Sequence, residues 1–105
     1  MPRVSYVHGC AKNNLINKLF GFVWSEGVIP DKTRSLITIA ILASLKASQE
    51  LKGHVRGALR NGCTVEEIQD VLLHCTVYCG APAGLEAFRA ANEVIQTWLA
   101  SENDA

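Results

Sequence analysis

Residues 49–62, QELKGHVRGALRNG, set a carboxylate and an imidazole four positions apart, Glu50 and His54, with Gly53 and Gly57 on either side of the histidine. On a helix, positions 50, 54 and 57 share one strip and position 53 lies beside it. A carboxylate one turn from an imidazole orients the ring and raises its pKa. Such a pair suits proton transfer. Glycine inside a helix costs ~1 kcal/mol relative to alanine, so two glycines here suggest space kept open along the margin of the apolar face. By spacing alone an ordinary surface pair contributing ~0.2–0.5 kcal/mol is the commoner case, since isolated Glu–His pairs are common and catalytic ones rare.

Other residues with chemical potential lie elsewhere. His74, in VLLHCTVYCG, sits just off an apolar stripe, and Tyr78 follows it by four residues with a hydroxyl for the same cavity. A lone histidine in that setting is more often a hydrogen-bonded residue at the core margin than a catalyst. Arg34 stands in the first turn of an apolar helix, either as a solvated residue or as an anchor for a substrate carboxylate. Cys75 and Cys79 are also four apart, a separation ill-suited to unstrained disulfide geometry and unlike the C-x-x-C of redox proteins. Small buried apolar residues are the better reading of both. No cysteine spacing matches a zinc site, and no metal or cofactor motif is present.

These residues must be positioned by helices, because apolar periodicity is helical almost throughout. A first helix is expected over 13–24. A second begins at Asp31 as N-cap and runs through KTRSLITIAILASLKA. From 36 to 45 this segment is apolar on nearly every side, which predicts burial on all sides by other helices and a second subunit. The third helix spans about 48–61, carries Leu51, Val55, Ala58 and Leu59 toward a core, and closes at Gly62. Thr64 opens the fourth with the capping box TVEE. Its core stripe is read as Ile68, Val71, Leu72, Cys75, Tyr78 and Cys79. GAP at 80–82 ends it, and a fifth helix starts near Pro82. That helix turns Leu85, Phe88, Ala91, Ile95, Trp98 and Leu99 inward, leaving 100–105 as a flexible polar tail. Short connections favour antiparallel neighbours. The expected fold is an all-α bundle of about five helices.

The chain has 105 residues, the size of a single domain, and 49% hydrophobic content. Ten basic and ten acidic residues balance, which argues against nucleic-acid binding, since that needs a basic stripe. Lys52, Arg56 and Arg60 line one helix and are read as a solvated face. No apolar run reaches the ~18 residues that span a bilayer, and the N-terminus lacks a signal core. A cytoplasmic protein with no membrane association and reduced thiols is expected.

Taken together and in order, VWSEGVIPDKTRSLITIAILASL, QELKGHVRGALRNG, TVEEIQDVLLHCTVYCGAPAG and AFRAANEVI resemble the carboxymuconolactone decarboxylase family of the alkyl hydroperoxidase D-like superfamily. The resemblance covers residues 24–95, while 1–23 diverge. It implies a helical fold that assembles as a homo-oligomeric ring, a trimer or hexamer. It also implies a cofactor-independent carboxy-lyase acting on a lactone carboxylate, with Glu50 and His54 as the catalytic pair. For such a reaction the substrate-binding residues are expected to be Arg34, with Arg56 as a second candidate, for the substrate carboxylate and His74 or Tyr78 near the developing oxyanion. The peroxidase branch of the superfamily carries two cysteines where this chain has Ala47 and Glu50, and a relay glutamate where it has Ser35. Two alternatives remain: a thiol peroxidase working through Cys75 and Cys79, and a non-catalytic, ligand-binding oligomer.

Overall fold

The computed structural model describes residues 14–104, which hold five helices and no strand. They are α1 (Asn14–Glu26), α2 (Asp31–Ser44), α3 (Ser48–Arg60), α4 (Val65–Cys79) and α5 (Ala81–Asp104). Cys10 and the rest of residues 1–13, part of the segment expected to diverge, lie outside the described residues. The chain divides into two compact units, residues 1–31 and 32–105. The first contains α1, which exposes Leu15, Leu19, Phe20 and Phe22. The second is the bundle.

In the bundle, local sequence accounts for where the helices end. Thr64 and Glu67 form the expected reciprocal cap: the Glu67 N–H donates to Thr64 Oγ1 at 3.0 Å, and the Thr64 N–H donates to Glu67 Oε1 at 2.8 Å. At the end of α3, the Cys63 N–H reaches the Ala58 carbonyl and the Gly62 N–H the Leu59 carbonyl, with Gly62 at φ +95°. That is the Schellman closure for which glycine is suited. The end of α2 has the same hydrogen bonds, Ala47 to Leu42 and Lys46 to Ala43, but Lys46 occupies the left-handed position at φ 57°. Asp31 is the first residue of α2 rather than its cap.

Interhelical contacts fix the directions. Lys32 Nζ meets Glu67 Oε1 at 3.2 Å, and Cys75 Sγ lies 3.8 Å from the Ala40 carbonyl. Both contacts pair α2 with α4 at the same offset, so these two helices run in the same direction. Lys52 Nζ pairs with Glu93 Oε2 at 2.9 Å, while Leu59 and Gly62 share a cavity wall with Trp98 and Leu99. So α3 and α5 are parallel too. From α2 to α5, helices consecutive in sequence are then antiparallel, as short connections require. Ile39, Leu51, Val55, Ile68 and Leu72 are fully buried at the centre, each contributing ~1.5–3 kcal/mol of apolar burial.

Several expectations from periodicity are corrected. Tyr78 and Cys79 are exposed, not part of the core stripe. The constant offset between α2 and α4 sets Cys79 opposite Ser44, the last residue of α2. On α5, Leu85 and Leu99 are exposed, while Ala83, Ala87, Ala90, Ala91, Val94 and Ile95 are buried. Small residues face inward because α5 packs closely against both α3 and α4. The helix also continues to Asp104 through residues read as a polar tail. On α2, Ile39 and Ala43 are buried, but Ile37, Ile41 and Leu45 remain exposed in the single chain.

Candidate active site

The carboxylate and imidazole come from the first half of α3. Its buried residues, Leu51, Val55, Gly57, Ala58 and Leu59, fix the face turned to the core. Helical geometry then leaves Glu50 exposed and His54 half-buried at the margin. A Cβ added at Gly53 meets no atom within 4 Å. The open space expected beside the histidine is therefore on the Gly53 side, whereas Gly57 is buried.

Two opposing effects act on His54. Burial lowers the imidazole pKa below its ordinary value of 6.5, and the Glu50 charge raises it, but burial is the larger. The net direction is down, the reverse of what the carboxylate alone would give. His54 is thus mostly neutral near pH 7, and its cation is a stronger acid than free imidazolium.

His74 and Tyr78 form a second pair on α4, with ring centroids 4.6 Å apart and planes inclined by 36°. His74 lines a cavity of about 300 Å³ between α2 and α4, walled by Leu36, Ile37, Ala40 and Val71, with Thr33 and Asp70 at its polar edge. Of the five residues singled out by sequence, His74 alone lines this cavity; Glu50, His54, Arg34 and Tyr78 do not. Arg34 is half-buried in the first turn of α2, and its carbonyl accepts the Thr38 hydroxyl at 2.9 Å. Sequence reading missed Asp70 as a neighbour of His74, although their i,i+4 spacing was available.

The cysteines are poorly placed for redox work. Cys75 is buried, and burial together with Cys79 pushes its thiol pKa up. Cys75 and Cys79 are both free thiols. Ser35 is buried and accepts a hydrogen bond from Asn61 Nδ2 at 3.0 Å. It ties α2 to the end of α3. Among the described residues, no three His, Cys, Asp or Glu side chains gather as a metal site would require. No helix among them is long and apolar enough to cross a membrane.

The sequence model of the carboxymuconolactone decarboxylase family matches residues 11–93. The chain belongs to this family. Within it, a 4-carboxymuconolactone decarboxylase of Acinetobacter baylyi is 42% identical over 84 residues, which are 79% of this chain and 63% of that protein. A nitrosuccinic acid decarboxylase of Metarhizium robertsii is 41% identical over 76 residues, 72% of this chain and 53% of that protein. An uncharacterized protein of Methanocaldococcus jannaschii is 31% identical over 72 residues, 69% of this chain and 67% of that protein. The chain therefore spans less than two thirds of the length of the two decarboxylases. All five candidate site residues fall inside the segment matched by the family model.

Proposed function

We propose that this chain is a cofactor-independent decarboxylase of a carboxylated muconolactone-type acid, converting 4-carboxymuconolactone to the enol-lactone of 3-oxoadipate. The observation that carries this reading is the α3 strip: a half-buried imidazole, an exposed carboxylate one turn away, and open space at Gly53. Family membership and the names of the two decarboxylase relatives support the reaction class.

The substrate supplies its own electron sink. The departing carboxylate sits on the γ carbon of an α,β-unsaturated lactone. As the bond to carbon dioxide breaks, its electron pair moves into the ring, the double bond shifts, and the lactone carbonyl oxygen takes the charge. A proton delivered to the α carbon then gives the enol-lactone. Nitrosuccinic acid has a comparable feature, since a nitro group can accept the electron pair from the adjacent carbon. The residues then have three tasks: to hold the remaining carboxylate, to stabilise the growing oxyanion and to deliver the proton.

His54 is the proton donor and Glu50 orients it. A depressed pKa suits this role, because a more acidic imidazolium gives up its proton more readily. It must be reloaded from water, since each turnover consumes one proton. Arg34 holds substrate carboxylate, and His74 with Tyr78 stands near the developing oxyanion. Further copies of the chain complete the site in a ring, a trimer or hexamer, and cover the apolar surface of Ile37, Ile41 and Leu45 on α2 and Leu73, Val77 and Tyr78 on α4. Val77 and Tyr78 are 74% and 76% exposed in the single chain, an unusual arrangement for side chains of this size outside an interface. The buried, high-pKa Cys75 disfavours a thiol peroxidase.

His54→Gln and Glu50→Gln test the assignment. Each is expected to lower the rate of lactone consumption by ~10²-fold or more, the scale of general acid–base catalysis, with the oligomeric state unchanged by light scattering. Normal turnover by both variants would overturn the roles given to this pair. Saturable lactone binding to the unmodified protein without carbon dioxide release would overturn the reaction itself.

A further inference from the structure

The far side of α3 carries a second chemically distinct feature. Arg56 and Arg60 are four residues apart, and Arg56 lies about 200° around the helix from His54. They therefore face away from the catalytic strip, and the Arg56 guanidinium is removed from the candidate holders of the substrate carboxylate. Both arginines line a cavity of about 220 Å³ whose opposite wall is one strip of α5: Val94, Thr97, Trp98 and Ser101. The parallel course of α3 and α5 aligns the arginine pair with the hydroxyl pair, each at i,i+4.

The charge arrangement is one-sided. A turn earlier, the same helix pair is neutralised by Lys52 and Glu93 at 2.9 Å. Beyond that ion pair, the cavity has two guanidinium groups and no carboxylate in its lining. Glu102 lines the adjoining cavity, which Trp98 also borders. Arg60, in the last turn of α3, has an electrostatic role there in any case, opposite the negative end of the helix dipole. Arg56 lies a full turn earlier, so the helix end accounts for it poorly.

We propose that Arg56, Arg60, Trp98 and Ser101 form a binding site for a small organic anion, a carboxylate carried on a flat apolar body. Guanidinium groups hold carboxylates through paired hydrogen bonds. Val94 and the half-buried Trp98 provide an apolar surface for the body. The Thr97 hydroxyl donates to the Glu93 carbonyl at 3.1 Å, so its proton is committed, and donors to the anion come from the arginines and Ser101. The size also fits, since an apolar cavity of about 150 Å³ accommodates benzene, and 220 Å³ leaves room for a carboxylate beside the ring. This site is separate from the decarboxylase reading and does not depend on it.

The test is a titration of the nitrogen-15-labelled protein at low salt, following the Trp98 indole N–H and the Nε–H groups of Arg56 and Arg60. Benzoate is the probe; benzamide and inorganic phosphate are the controls. Benzoate is expected to shift these signals saturably with a Kd on the order of 1 mM, and benzamide and phosphate to bind at least ~10-fold more weakly, a difference of ~1.4 kcal/mol. The Arg56→Gln/Arg60→Gln double variant, its amide spectrum otherwise unchanged, is expected to lose the response. Arg56→Lys/Arg60→Lys keeps the charge but not the paired donors, and is expected to weaken it. Four results would each overturn the proposal: no saturation, benzamide matching benzoate, phosphate matching benzoate, or an undiminished response in the glutamine variant.

Discussion

Gly53 and Gly84 are the same residue in the same kind of element, and the molecule uses them in opposite ways. Around Gly53 a side-chain carbon would meet nothing within 4 Å. Gly84 is buried where α5 crosses α4, and a Cβ there would run into Thr76, lying 2.7 Å from its Cβ and 2.8 Å from its Cγ2, with Oγ1 closer still. One glycine permits two helices to touch. The other leaves room that the single chain does not fill. A helical glycine is therefore not one signal: its meaning depends on whether the neighbouring space is occupied, which sequence spacing does not specify.

The largest expected effect is at the closed position. Gly84→Ala forces α4 and α5 apart, and is expected to destabilise the fold by ~1–3 kcal/mol in urea unfolding, the range for overpacking. Thr76→Ala in the same chain is expected to restore only part of this loss. It removes Oγ1 and Cγ2 but leaves the Thr76 Cβ at a distance that real carbon pairs do not adopt. Full stability in Gly84→Ala would break the comparison, because both glycines would then be open.

The contrast also shows what was legible in the sequence. Helix ends marked by local chemistry were readable: Thr64 with Glu67 opens α4, and Gly62 and Gly80 close α3 and α4 where backbone freedom is required. The fold class followed from periodicity. The inward face of α5 did not, because the apolar signal in the sequence is strongest at large residues such as Leu85 and Leu99, while the close crossing selects Ala87, Ala90 and Ala91. At the candidate site, the pairing of Glu50 with His54 and of His74 with Tyr78 follows from helical spacing alone. The net direction of the His54 pKa does not, since burial depends on packing between helices and outweighs the local carboxylate. The cavity that His74 shares with Leu36, and the one that Arg56 shares with Trp98, both join residues from helices separated in sequence.

At the open position the sign reverses. Gly53→Ala meets no steric obstacle and adopts an ordinary helical conformation, so it is expected to stabilise the chain by ~0.5–1 kcal/mol through helix propensity and a less disordered unfolded state. If substrate occupies that space, the same variant turns over lactone more slowly despite being more stable. A stabilised variant with undiminished kcat/KM would mean that the room beside His54 is not used. Gly84→Ala gives the converse control, in which activity falls only as far as folded protein is lost.

The smallest effect concerns His54 itself. Its pKa in the folded chain lies below the ordinary 6.5, chiefly because burial disfavours the cation. Between the folded and unfolded values, the unfolded chain binds more protons, so stability rises with pH across that window. The contribution is complete above 6.5 and is lost as pH falls through the folded value. The Glu67 carboxyl is lowered below its ordinary 4.5 by the Thr64 backbone N–H and by Lys32, so its own transition lies at more acidic pH. Urea midpoints of the wild type and His54→Gln, compared from just below pH 6.5 downward, isolate the histidine. The wild type is expected to lose more stability than the variant over that range, with equal slopes above it. Parallel curves throughout would mean that the imidazole is as well solvated in the fold as in the open chain, and the margin beside Gly53 would then be ordinary surface.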